Sequence, residues 1–319
     1  MIRVFFSLWT ALMPQQPTSL NWISIGLLGV IWGATFMVVA IALEGYGPLT
    51  VACARTSLGA GAMLALMVVL RRPLPAFTPQ MRAYLLAIGL FNTAVPFALL
   101  SWGQQYVPSA FAGISMAALP LFVLPLAHLF SDEKLHLRSA LGVVIGFCGA
   151  VVLIGPGVLR IGTGWEPLGQ LACLAAALSY AVSSILTRRC PPIDPITMTA
   201  LLLGIGAAAL IPAMLIFEGI PGPAAPRPML AIIFLGVVPT ALAALLRVAT
   251  IRSAGAVFMT LVNYQVPVWS MLFGVLVLQE LLPLRFFAAL ALILLGLAIS
   301  QWAGLKRLFA AARASGGDT

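Results

Sequence analysis

Acid is the scarcest chemistry in this chain. Only eight of the 319 residues are Asp or Glu. Glu44, Asp132, Glu133, Glu166, Asp194, Glu218, Glu280 and Asp318 all fall at the edge of an apolar run, in a connection or in the C-terminal tail. Paired carboxylates for general acid–base work, or a proton relay inside an apolar segment, are therefore missing. Of the two histidines, His128 lies near the end of an apolar run and His136 in a connection. The four cysteines, Cys53, Cys148, Cys173 and Cys190, form neither a CxxC pair nor a metal-ligand spacing, which leaves them as small packing residues without disulfides. A Walker loop, an HExxH helix and a Ser/His/Asp set are all absent. Enzymatic catalysis, a metal and an organic cofactor each lack the residues they need, and none is expected.

What the chain has in abundance is apolar surface. Hydrophobic residues make up 62% of it and charged residues 8%. A soluble domain of this length cannot bury so much; an integral membrane protein has lipid to face. The net charge of +9 would suggest nucleic acid in a soluble protein. Here Lys and Arg stand at the ends of apolar runs, where they signal topology, and no nucleic-acid partner is expected.

A helix needs about 20 apolar residues to cross a bilayer. Ten such runs follow from the Pro, Gly and charge breaks: 23–43, 48–70, 80–103, 108–130, 137–155, 166–188, 195–217, 228–251, 254–278 and 284–303. The expected fold is an all-α integral membrane protein of ten spans. The connections are too short to hold a soluble domain.

Displaced by 147 positions, the chain lies on itself without a gap. Pro48 falls on Pro195, Thr50 on Thr197, Gly59 on Gly206, Thr93 on Thr240, Pro120 on Pro267, Glu133 on Glu280, Arg138 on Arg285 and Gly149 on Gly296. Matches among scarce Pro, Glu and Arg residues carry weight that Leu-on-Leu matches do not. The expected organisation is an N-terminal tail at 1–20, one five-helix repeat at 21–155, a second at 166–303 and a tail at 304–319. Thirteen Lys and Arg residues cluster on the side of the termini and three, Arg160, Arg227 and Arg285, on the other, which places both termini in the cytoplasm. Five spans per repeat is an odd number, so the second copy enters the membrane inverted. Residues 1–20 admit two readings: an interfacial helix anchored by Trp9, or a start at Met13.

The chain resembles the ten-helix EamA-type transporters of the drug/metabolite transporter superfamily over residues 21–303. The resemblance rests on Trp32-Gly33-Ala34-Thr35-Phe36, the Gly47-Pro48 to Arg55 stretch, Val107-Pro108-Ser109-Ala110, and the Pro120-to-Glu133 and Pro267-to-Glu280 patterns at two helix ends. It implies a plasma (inner) membrane exporter of small organic solutes, hydrophobic or aromatic amino acids foremost, with a drug or cation exporter of the same fold as the alternative. It implies alternating access around a central cavity. The small four-helix multidrug relatives carry a mid-membrane glutamate that this chain lacks, so transport without obligatory proton coupling is expected.

Polar groups inside apolar spans nominate the cavity. Trp32 and Thr35 lie in the first span, Asn92 and Thr93 in the third, Tyr180 and Ser183 in the sixth, Thr240 in the eighth, and Asn263, Tyr264 and Gln265 in the ninth. Such side chains face another helix or a wet cavity, because facing lipid is costly. Arg55, about two turns into the second span, has two readings: an anchor for a substrate carboxylate, or an arginine snorkelling to the surface. Pro120 and Pro267 are the candidate hinges, with static shape as the other reading. Gly142, Gly146 and Gly149 allow close helix packing, as scaffold or at a weak homodimer contact.

Overall fold

The computed structural model describes residues 17–130, 136–155, 164–302, 304 and 306, and every regular element among them is helical. In chain order these are α1 (Ser19–Leu43), α2 (Pro48–Val69), α3 (Pro79–Gly103), α4 (Ser109–Phe130), α5 (Leu137–Ile154), α6 (Glu166–Arg189), α7 (Pro195–Phe217) and α8 (Pro226–Ala254). A four-residue helical turn, Ala256–Met259, then leads into α9 (Val262–Leu276) and α10 (Leu284–Ser300). Helices α1–α8 are each long and apolar enough to cross a membrane. The expectations placed on Trp9, Glu133, Lys134, Arg160 and the two tail ends lie outside the described residues.

Local chemistry sets where the helices start. Thr18 and Asn21 form a capping box, the Asn21 side chain accepting from the Thr18 N–H at 2.9 Å. Helix α1 therefore begins at Ser19, four residues before the expected edge of the first span. Pro48, Pro79 and Pro195 open α2, α3 and α7, where the missing N–H costs nothing. Thr78 accepts from Met81 N–H at 3.1 Å, and Asp194 from Ile196 and Thr197 N–H at 3.1 and 3.2 Å. Helix α6 carries Glu166 in its first turn and Arg188 and Arg189 in its last, matching its dipole.

The spans are less regular than their apolar runs suggest. Helix α3 contains a π segment at Leu90–Ala94, and α8 contains another at Gly236–Leu242. Pro239 lies inside the second and offers no N–H to the Leu235 carbonyl; the Thr240 hydroxyl donates to that carbonyl at 2.7 Å instead. The ninth expected span, 254–278, is not one helix. Gly255 takes φ +87°, which ends α8, and a turn at residues 260 and 261 precedes α9. The hinge candidates also differ from each other. Pro120 is the second residue of a helix that restarts at Leu119 after a break at Ala117 and Ala118, whereas Pro267 lies within α9. The irregularities that match between α3 and α8 are their π segments.

Close approaches hold the bundle together, and they come in reciprocal pairs. Gly59 of α2 packs on Thr240 of α8, while Gly206 of α7 packs on Thr93 of α3. Gly149 of α5 faces Ala289 and Ile293 of α10, while Gly296 of α10 faces Gly142 and Gly146 of α5. In both pairs the members stand 147 positions apart in sequence. The glycine stripe of α5 is thus filled from within the chain, Leu121 covering Gly146, which matches the scaffold reading of the stripe.

Polar ties gather at the two ends of the bundle. At one end, the Glu218 carboxylate accepts from Leu49 N–H (2.8 Å), Thr50 N–H (2.8 Å) and the Thr50 hydroxyl (2.7 Å) at the start of α2. At the same end, Glu280 accepts from Ser109 N–H at 2.6 Å and Ala110 N–H at 3.2 Å at the start of α4. Both place an anion where four backbone N–H groups lack helical partners. At the opposite end, Asp194 pairs with Arg72 and Arg252, each at 3.7 Å, and Asn21 donates to Ser253 at 2.5 Å.

Candidate functional site

The irregular backbone of α3 and α8 draws side chains from neighbouring helices. A π turn displaces the usual i→i−4 bonds and leaves carbonyls available. Ser179 of α6 donates to the Phe91 carbonyl at 2.8 Å, and Trp32 of α1 donates its indole N–H to the Pro239 carbonyl at 3.2 Å. Ser179 and Trp32 are partners under the 147-residue displacement. One residue along α3, Asn92 accepts from the Ser183 hydroxyl at 3.0 Å, a second polar tie between α3 and α6.

Not all the nominated residues serve the same purpose. Thr93 is 2% exposed, and its hydroxyl donates to Gly89 and Leu202 carbonyls, so it ties α3 to α7. Thr240 is buried against Gly59 with its hydroxyl on Leu235, and Thr35 donates to its own helix at Ile31. All three hydroxyls are bonded to backbone carbonyls of the chain. Gln265 lies against Gly29, where no side chain intervenes between α9 and α1.

The half-buried members are a different set. Trp32, Asn92, Tyr180, Asn263, Tyr264 and Gln265 are neither sealed in the core nor exposed. Trp32 and Tyr180 both flank the largest buried cluster, which runs through α1, α4, α6, α9 and α10. The Tyr264 hydroxyl is buried with no hydrogen-bond partner. An unmet buried hydroxyl costs stability, and a group bound from outside would satisfy it.

Arg55 lies deeper than a snorkelling residue. It is 6% exposed, and its guanidinium carbon stands 3.8 Å from the centre of the Phe97 ring. The tyrosine of α6, Tyr180, packs on the same group of residues: Ala52, Cys53, Ala94, Phe97 and Leu210. Phe97 was not among the residues the sequence singled out. One phenylalanine among 17, 42 positions from Arg55, carries no signal until α2 and α3 are packed together.

The arrangement offers hydroxyls, amides, aromatic faces and one buried cation. Among the described residues no group of His, Cys, Asp or Glu stands ready to hold a metal ion. The EamA-like transporter family model matches residues 19–155 and again residues 167–302. The chain belongs to the EamA-like transporter family.

Relatives and fold agree with that membership. This EamA-like protein is 24% identical over 289 residues to the uncharacterized transporter YoaV of Bacillus subtilis, covering 89% of this chain and 98% of the relative. It is 29% identical over 250 residues to the uncharacterized inner membrane transporter YedA of Escherichia coli, covering 77% and 79%. A solved crystal structure with 21% identity superposes with a TM-score of 0.62 over 90% of this chain and 99% of the other, which establishes a shared fold. The EamA-like chain is a multi-pass membrane protein.

Tyr264→Phe separates binding from packing. Removing an unpaired hydroxyl is expected to leave the melting midpoint equal or slightly higher, while solute affinity falls about 3- to 10-fold, the loss of one hydrogen bond. Affinity and melting are measured on the same purified variant. An unchanged affinity would assign Tyr264 to packing alone.

Proposed function

We propose that this protein exports small organic solutes, hydrophobic or aromatic amino acids foremost, across the plasma membrane by alternating access. In this reading α9 and α10 complete ten spans, and the two five-helix halves are inverted repeats with both termini in the cytoplasm. The observation that carries it is the reciprocal set of contacts at a 147-residue displacement, Gly59 on Thr240 with Gly206 on Thr93, joined by a near-equivalent pair, Ser179 on Phe91 O and Trp32 on Pro239 O, whose acceptors stand 148 positions apart. Two halves that hold each other in equivalent ways have two arrangements of similar free energy, inward-open and outward-open. Trp32, Asn92, Tyr180, Ser183, Asn263, Tyr264 and Gln265 face the solute between them.

Export of drugs or organic cations is the second reading, favoured by the aromatic faces of Trp32, Tyr180 and Tyr264, on which a cation stacks. Purified protein in liposomes, offered labelled amino acids and cationic drugs, tests the two together. Saturable exchange of labelled against unlabelled solute supports transport. Flux that rises linearly with concentration and shows no exchange would mark a channel and overturn it.

Transport runs down the solute's own gradient in this reading. All five described carboxylates lie at helix ends or in the turns beside them. An imposed pH difference without a solute gradient is expected to drive no accumulation. Uphill accumulation that a protonophore abolishes would sink this claim, and Glu44, Glu280 and His128 would then be the residues to replace.

A further inference from the structure

We propose that Arg55 binds the carboxylate of the transported solute, so that the protein selects monoanionic or zwitterionic acids over their neutral or cationic analogues. This rests on the transporter reading above and names the solute class for it.

The argument begins with a charge that lacks a partner. A guanidinium stays ionised under any condition a cell offers, and an isolated ion is driven out of apolar surroundings unless paired. Arg55 is buried in the interior of α2, on the eighth residue of that helix, and its Nε makes no hydrogen bond. It neither reaches the surface nor donates to a loop carbonyl, the two ways an intramembrane arginine is otherwise satisfied. The Phe97 ring at 3.8 Å offers an attractive face but no negative charge.

Every carboxylate among the described residues is engaged elsewhere. Glu44 pairs with Arg227 at 3.4 Å and Glu166 with Arg285 at 3.9 Å. Asp194 pairs with Arg72 and Arg252. Glu218 and Glu280 accept from the backbone at the starts of α2 and α4. The remaining three acids lie outside the described residues. They are Asp132, Glu133 and Asp318. Among the described residues no carboxylate answers Arg55, and in this proposal its anion comes from outside the chain.

The surroundings say which anion. One cation, a phenylalanine face, the Tyr180 ring and the apolar side chains of Ala52, Ala94 and Leu210 suit a single negative charge attached to an apolar body. A guanidinium meets a carboxylate through two parallel N–H donors. A phosphate dianion would ask for a second cation, and this group of residues has none.

The test is equilibrium binding to purified protein, read separately from flux. The probes are L-phenylalanine, L-leucine and 3-phenylpropionate, each beside its methyl ester. Wild-type protein is expected to bind at least one acid more than about 30-fold tighter than its ester. Arg55→Gln is expected to remove that preference, and Arg55→Lys to retain part of it as a charge without the two-pronged geometry. The acid-over-ester ratio of the wild type needs no variant, so misfolding of Arg55→Gln leaves the test intact. If no acid outbinds its ester, or if a folded Arg55→Gln protein keeps the preference, the anchor is refuted, whatever the flux. Preferential binding of acids with no flux in liposomes would instead refute the transporter reading and leave the anchor standing.

Discussion

Gly296→Ala is expected to lower the melting midpoint of the detergent-purified protein by several degrees and to reduce its folded yield. A methyl group there meets the Gly142 carbonyl at 2.5 Å, the Gly146 nitrogen at 2.5 Å and the Gly146 Cα at 2.8 Å. All three are backbone atoms, so no side chain turns aside, and α5 and α10 must move apart. Forced separation of this kind costs about 1–3 kcal/mol, and in a membrane it also removes the van der Waals contact that drives helix association. Gly149→Ala is expected to cost a similar amount, since its methyl meets the Ile293 nitrogen at 2.9 Å and the Ala289 carbonyl at 3.0 Å. Gly61→Ala is the control: nothing lies within 4 Å of its added methyl, and replacing glycine within α2 gains roughly 0.5–1 kcal/mol of helix propensity. Equal midpoints for Gly296→Ala and Gly61→Ala would show that the crossing of α5 and α10 is not under close-packing constraint.

Glu280→Ala is expected to open the end of the bundle where α4 begins. Its carboxylate holds Ser109 N–H at 2.6 Å and Ala110 N–H at 3.2 Å, so it ties the segment after α9 to the start of α4. Hydrogen bonds to a charged group contribute about 1.5–3 kcal/mol each. A net loss on the order of 3 kcal/mol shifts a two-state equilibrium by more than about 100-fold. The proposed topology puts this end outside the cell. The readout is labelling of a cysteine at position 109, with the four native cysteines replaced, by a maleimide that does not cross membranes. Ser109 is 2% exposed in this arrangement, so the starting rate is low. Labelling from the outside is expected to accelerate by about two orders of magnitude in the variant. An unchanged rate would mean that Glu280 only caps a helix and does not hold a gate. Glu218→Ala, which frees three donors at the start of α2, acts at the same end and provides a second measurement.

The two predictions concern opposite properties of one scaffold. The α5–α10 crossing is backbone against backbone and must stay fixed. The carboxylates at the starts of α2 and α4 are few, polar and replaceable, which suits contacts that break in each cycle. The π segments stand between these extremes: their carbonyls are held by Trp32 and Ser179 from other helices, which ties α8 to α1 and α3 to α6.

Composition and spacing determined a good deal without coordinates. A 62% apolar chain with its charges at the ends of runs has to be a bundle of membrane helices, because backbone groups in lipid need partners within their own segment. The 147-residue register was legible because scarce Pro, Glu and Arg residues repeat in it. The helix starts at Pro48 and Pro195 were legible because capping is local. Tertiary structure alone decided which polar residues are spent on packing. Thr93, Thr240 and Thr35 read the same in sequence as Asn92 and Tyr264, since each is a polar group in an apolar run; only the structure shows Thr35 and Thr240 bonded within their own helices and Thr93 reaching Leu202 of α7. It also decided that the irregular turns are π segments in α3 and α8, because a displaced helical bond is set by the side chain that takes the freed carbonyl, here from a helix far away in sequence. Arg55 shows the division most plainly. Its charge was visible in the sequence, but the absence of an answering carboxylate among the described residues is a fact about where every other side chain lies.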